Sequence, residues 1–142
     1  MNALARLLSI TVAVLLLVVV GKSGWVSNQK PLHALSGATW VVEQIEGRAV
    51  TADPPELVLD PIKGVVSGFT GVNRLHGQFY LKGNTITFGV IATTRRAGTE
   101  QAMNTELRFL NMLEQVSIWR LHNDHLEFLR DAVVLLRFGR KL

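Results

Sequence analysis

The chain contains no cysteine. That absence excludes a disulfide framework, a thiol nucleophile, a cysteine-based zinc site and lipid attachment through an N-terminal cysteine. It does not assign a reducing compartment, because an exported domain can fold without disulfides. A clustered basic face is also lacking. Of the 15 basic residues, Arg6 and Lys22 flank an N-terminal apolar run, which leaves 13 against 11 acidic residues. The two signs are interspersed, with Arg95-Arg96 and Arg140-Lys141 as the basic pairs, so the pattern of a nucleic-acid binder is missing. Glu43, Glu56, Glu100 and Glu127 fall on unrelated elements, so no carboxylate pair for acid–base chemistry can be assembled from them. Internal repeats and low-complexity stretches are absent too.

What is present begins with an address. Leu7 to Val20 is a run of 14 residues, apolar apart from Ser9 and Thr11, preceded by Arg6. As a helix it would rise only ~21 Å against ~30 Å of hydrocarbon, which suits a signal h-region better than a full span. Residues 1–22 are therefore expected to be a signal peptide or an uncleaved membrane anchor. The protein is placed in the periplasm, or on the inner membrane facing it. A clean Ala-x-Ala cleavage site is missing, and Gly21-Lys22-Ser23-Gly24 supplies the nearest small residues. Gly21-Lys22-Ser23 is not a phosphate-binding loop, because position 16 is Leu where that motif needs Gly. Residues 23–34 mix Gly, Ser, Asn, Gln, Lys and Pro31 and read as a linker, leaving 35–142 as one domain.

Within the domain, strands are expected at Trp40–Ile45, Arg48–Val50, Glu56–Asp60, Gly64–Phe69, Gln78–Lys82 and Thr85–Phe88. Gly83-Asn84 marks a hairpin, and Gly89 to Thr94 reads as a loop or short strand. Thr99 offers an N-cap and Glu100 an acidic first turn for a helix to about Gln115. Met103, Leu107, Leu110 and Leu113 recur at three and four and are expected to form its buried face. Ser117–His122, His125–Arg130 and Val133–Phe138 complete the chain as strands. Hairpin-length connections without a βαβ rhythm imply an α+β fold, a curved, mainly antiparallel, barrel-like sheet with one packed helix.

Candidate chemistry is sparse. His122 and His125 flank a two-residue turn, but two ligands fall short of the three or four a zinc site takes. Ser67, His76 and Asp60 lie near one another, yet Val-Val-Ser-Gly lacks the glycine two before Ser that a nucleophile elbow requires. Ser67 is expected to bond backbone within a turn. Arg95 is expected to cap carbonyls of the turn at Gly71–Asn73. No metal and no cofactor is assigned.

The stretch around which these elements are arranged is Val66-Ser67-Gly68-Phe69-Thr70-Gly71-Val72-Asn73-Arg74. Two glycines three apart and an Asn mark a backbone that needs positive φ or a close approach by another segment. Together with Trp40 at the first strand, Thr93-Thr94-Arg95-Arg96-Ala97-Gly98 and the helix after it, this stretch resembles the META domain family, most nearly its HslJ-like envelope members. The resemblance implies signature positions at Trp40, Ser67, Gly68, Gly71, Val72, Asn73, Arg74, Thr94, Arg95 and Gly98, with a structural role. It also implies a non-enzymatic exported module for binding or interaction in the bacterial cell envelope, with a link to stress. Its tools would be apolar surface and sheet edges at Phe69, Tyr80, Trp119 and Phe128. A hydrophobic ligand such as a lipid, held inside the sheet as in pilot-like proteins, is the alternative, and a small hydrolase a further one. The expected partner is an envelope protein or lipid, with the membrane engaged through the N-terminal segment. Family members often carry Cys where Val72 and Gly98 stand. Their joint absence implies that the two positions touch, as a disulfide pair would.

Overall fold

A computed structural model describes residues 32–141; the signal peptide or anchor expected at 1–22 lies outside them. Period-two patterning becomes a closed sheet. In β5 (Arg74–Lys82), buried Leu75, Gly77 and Phe79 alternate with exposed Arg74, His76, Gln78 and Tyr80. The other strands are β1 (Thr39–Ile45), β2 (Arg48–Ala49), β3 (Glu56–Asp60), β4 (Val65–Phe69), β6 (Thr85–Thr93), β7 (Ile118–His122), β8 (His125–Arg130) and β9 (Val133–Lys141). All pairings are antiparallel, in the order β2-β1-β3-β4-β5-β6-β7-β8-β9, and β9 returns to pair with β1. The sheet thus forms a ring, which removes most exposed edges.

Turn chemistry sets the hairpins. Asn123 (φ 48°) and Asp124 (φ 61°) are both left-handed, the conformation a two-residue hairpin loop needs and Asn and Asp tolerate. β5 starts at Arg74 and not at Gln78, and β6 runs on to Thr93. Gly77 hid the first extension: it is buried where a Cβ would stand 2.5 Å from Ile91 Cδ1. The closure is uneven. β1 and β9 pair from Thr39↔Lys141 to Ile45↔Leu136, whereas β6 and β7 share the single register pair Thr85↔Ile118.

Helix α1 (Glu100–Gln115) packs against this ring, and Thr99 Oγ1 accepts the Ala102 N–H at 3.2 Å as N-cap. Its buried residues are Ala102, Glu106, Phe109, Met112 and Leu113. The expected stripe is corrected: Met103 and Leu107 are 38% and 60% exposed. Of the four aromatics named as surface tools, Trp119 and Phe128 are core, as aromatic side chains commonly are, while Phe69 and Tyr80 are exposed. Phe79, Phe88, Phe128 and Phe138 form an aromatic chain across the interior, with successive centroids 6.0, 5.6 and 5.1 Å apart. Trp40, Leu57, Leu113 and Trp119 pack into the same core.

Candidate functional site

The β4–β5 turn, Thr70–Asn73, meets the segment Thr94–Gly98 and helix α1 in a buried polar clamp. Backbone geometry makes the meeting possible. Gly71 has φ +95°, and a Cβ there would stand 2.4 Å from the Asp53 carbonyl oxygen. Gly68, in an ordinary strand conformation, lets β3 approach: a Cβ would lie 2.0 Å from Glu56 O. The two glycines therefore answer two different demands.

Asn73 is the hub, only 2% exposed. Its Oδ1 accepts the Thr94 hydroxyl at 2.8 Å and the Arg96 N–H at 2.6 Å. Its Nδ2 donates to Arg96 O at 3.2 Å and to the Glu106 carboxylate at 3.0 and 3.1 Å. The reverse amide orientation would set a donor against the Arg96 N–H and a carbonyl against Glu106, so the network itself fixes it. Thr70 Oγ1 donates to Glu106 Oε2 and accepts the Asn73 and Val72 N–H groups at 2.8 and 3.3 Å. Thr94 Oγ1 accepts the Arg74 N–H at 3.1 Å, and Thr94 N–H donates to Arg74 O at 3.0 Å. The clamp is thus filled from within, and it ties α1 to the sheet through a carboxylate that, among the described residues, meets neutral donors alone.

Among the expected positions, Gly68, Gly71, Val72, Asn73, Arg74, Thr94 and Gly98 come together here. Val72 packs on Gly98: a Cβ added at Gly98 would lie 3.0 and 3.1 Å from the two Val72 γ-carbons. Trp40 stands apart, fully buried, with Nε1–H donating to Leu35 O at 3.1 Å and Arg140 5.1 Å from its ring centroid. The expected cap by Arg95 is corrected. The contact to the turn comes from the backbone of Arg96, because Asn73 reaches across to a peptide group instead of Arg95 reaching back. Ser67 lies within β4, opposite His76 and Val58, and not in a turn. Asp60 accepts the Ile62 and Lys63 N–H groups of its own turn at 3.1 and 3.0 Å. His125 places Nδ1 2.7 Å from Asn123 O and Nε2 3.3 Å from Glu43.

Thr70, Arg96 and Glu106 are the members that sequence reasoning missed. A signal existed for Glu106: Ala102, Glu106, Phe109 and Leu113 follow helical spacing as regularly as the stripe chosen, once a carboxylate is allowed on the inner face.

A family model described as the META domain matches residues 33–141. The chain belongs to the META domain family. Among solved structures, this META domain is similar to the NMR structure of a protein from Burkholderia xenovorans, with 26% identity and a TM-score of 0.60 over 79% of this chain and 88% of that one. A second NMR structure gives 25% identity and a TM-score of 0.57 over 72% of this chain and 87% of that one. No curated protein matches. The polar clamp is therefore a feature of this META domain that joins its Gly-Asn turn to its helix.

Proposed function

We propose that this META domain protein is an HslJ-like, non-enzymatic binding module of the bacterial cell envelope, exported by its N-terminal apolar run and facing the periplasm. The observation that carries the reading is the saturation of the clamp. Thr70, Asn73 and Glu106 spend their polar atoms on one another and on the Arg96 backbone, so the most chemically distinctive cluster acts as structure. Apolar side chains stand outside instead: Val58 and Phe69 are each 41% exposed, Tyr80 63% and Val90 91%. Such a surface binds by contact area and not through a reactive group. The link to envelope stress follows the HslJ-like reading.

The test is photo-crosslinking in intact cells from positions 69 and 80, followed by identification of the captured proteins and lipids. Reproducible envelope adducts from these positions, weaker from His33, support the module. Cytoplasmic adducts, or turnover of an ester or peptide substrate that disappears in Ser67→Ala, would overturn it.

A further inference from the structure

We infer that the outer surface around Phe69 docks on an anionic phospholipid bilayer, a step that rests on the proposed export and on the N-terminal run staying uncleaved as an anchor. The sequence scatters its charge, but the fold gathers part of it. Phe69 and Arg74 are cross-strand neighbours, and both line an open groove of about 570 Å³ with Val72, Leu75, Thr94 and Arg96. Arg74, Arg95 and Arg96 are all exposed. None of the three forms an ion pair with a carboxylate among the described residues, whereas Arg108, Arg120 and Lys141 each do. The described residues as a whole carry 12 basic and 11 acidic side chains, so this excess is local. On its other flank Phe69 faces Glu56, whose carboxylate is taken up by Lys141. An exposed aromatic beside Arg74 and Arg96 matches a lipid surface, where headgroup phosphates meet the arginines and the ring enters the acyl boundary.

The tether makes the encounter intramolecular. Eleven residues, Gly21 to Pro31, separate the apolar run from the first described residue. Fully extended they reach roughly 40 Å, against a radius of gyration of about 13 Å for a domain of this size. Any face can therefore reach the membrane, and charge selects which one rests there. Among the described residues no helix is long and apolar enough to cross a membrane.

The absence of cysteine makes the test direct. Full-length protein carrying His76→Cys, beside Arg74 on the outer face, or Ala132→Cys, in the β8–β9 turn on the far wall, is labelled with a fluorophore. It is then reconstituted into vesicles of phosphatidylcholine alone or mixed with phosphatidylglycerol. A lipid-borne quencher is expected to act on position 76 only in the phosphatidylglycerol vesicles, and on position 132 weakly in both. Arg74→Gln, Arg95→Gln and Arg96→Gln together are expected to lower the docked-to-free ratio about a hundredfold, roughly fivefold per arginine. Added salt should act in the same direction. The clamp uses only the backbone of Arg74 and Arg96, so these variants should keep the wild-type melting temperature. Chains that fail to float with vesicles overturn the anchoring and the docking together. Chains that float with position 76 unquenched, or quenched equally in both lipids, overturn the docking alone. Protection of position 76 by glycerol phosphate or by an envelope protein, with no response to vesicles, assigns the groove elsewhere and also overturns it.

Discussion

A carboxylate held by neutral donors gives the clamp its energetics. Glu106 is 9% exposed and accepts from the Thr70 hydroxyl and the Asn73 amide. Glu106→Ala would leave the Thr70 hydroxyl without its acceptor and Asn73 Nδ2 with only the Arg96 carbonyl, and we expect a loss of about 2–3 kcal/mol. Glu106→Gln keeps the volume and one oxygen but turns an NH2 toward the Asn73 NH2, for a loss of about 1 kcal/mol. Denaturant titration of both variants checks the order, and equal losses would mean that shape alone matters. Val72 and Gly98 supply a second residue-scale test. Their contact is close enough that Val72→Cys with Gly98→Cys should oxidise spontaneously. Closing a loop of about 25 residues should add ~3–4 kcal/mol in the chain-entropy model. Thiols that persist under oxidising conditions would count against the two turns staying adjacent in solution. Asn73 was legible because turn residues advertise backbone demands, and the Val72–Gly98 contact because relatives in the family often carry Cys at both positions. Thr70 and Glu106 were not, because a Thr in a turn and a Glu on a helix look like ordinary surface until their partners from distant elements are known.

At the scale of elements, strand positions follow from alternation and from Gly-Asn and Asn-Asp turns, and most agree with the sequence reading to within a residue or two. β5 escaped it in its first half because Gly77 breaks the apolar pattern for the sake of Ile91 packing across the pair. The helix existed where its N-cap and period placed it, but its rotation could not be read. Counting only apolar residues favours Met103 and Leu107, whereas the clamp pulls Glu106 inward and turns those two toward solvent. This rotation has a measurable consequence. Leu107→Lys should change stability by less than about 0.5 kcal/mol, while Phe109→Ala should cost about 3–5 kcal/mol through the cavity it leaves. A large loss at Leu107 with a small one at Phe109 would restore the stripe read from the sequence.

For the whole molecule, the ring is unequally closed, a property no local pattern carries because it depends on the register of strands far apart in sequence. The β1–β9 ladder extends along both strands, but β6 and β7 are joined near Thr85 and Ile118 by two backbone bonds, Ile86 N–H to Ser117 O at 3.0 Å and Trp119 N–H to Asn84 O at 2.9 Å. Beyond that point the groove between β6 and α1 is lined by Phe88 and Ile91 on one side and Leu110 and Leu113 on the other, so helix packing takes over from hydrogen bonds. A junction with two backbone bonds among the described residues, beside the Trp119 Nε1–H bond to Gly83 O at 3.1 Å, opens at lower free energy than one held along a full ladder. We expect the Ile86 and Trp119 amides to exchange with solvent at least about a hundredfold faster than amides of the β1–β9 ladder under native conditions. Phe109→Ala loosens the helix and should lower protection at the β6–β7 seam before it lowers it at β1–β9. Hydrogen exchange resolved by residue decides the matter. Uniform protection around the ring, falling everywhere together in the variant, would show that the helix and the seam unfold only with the whole domain.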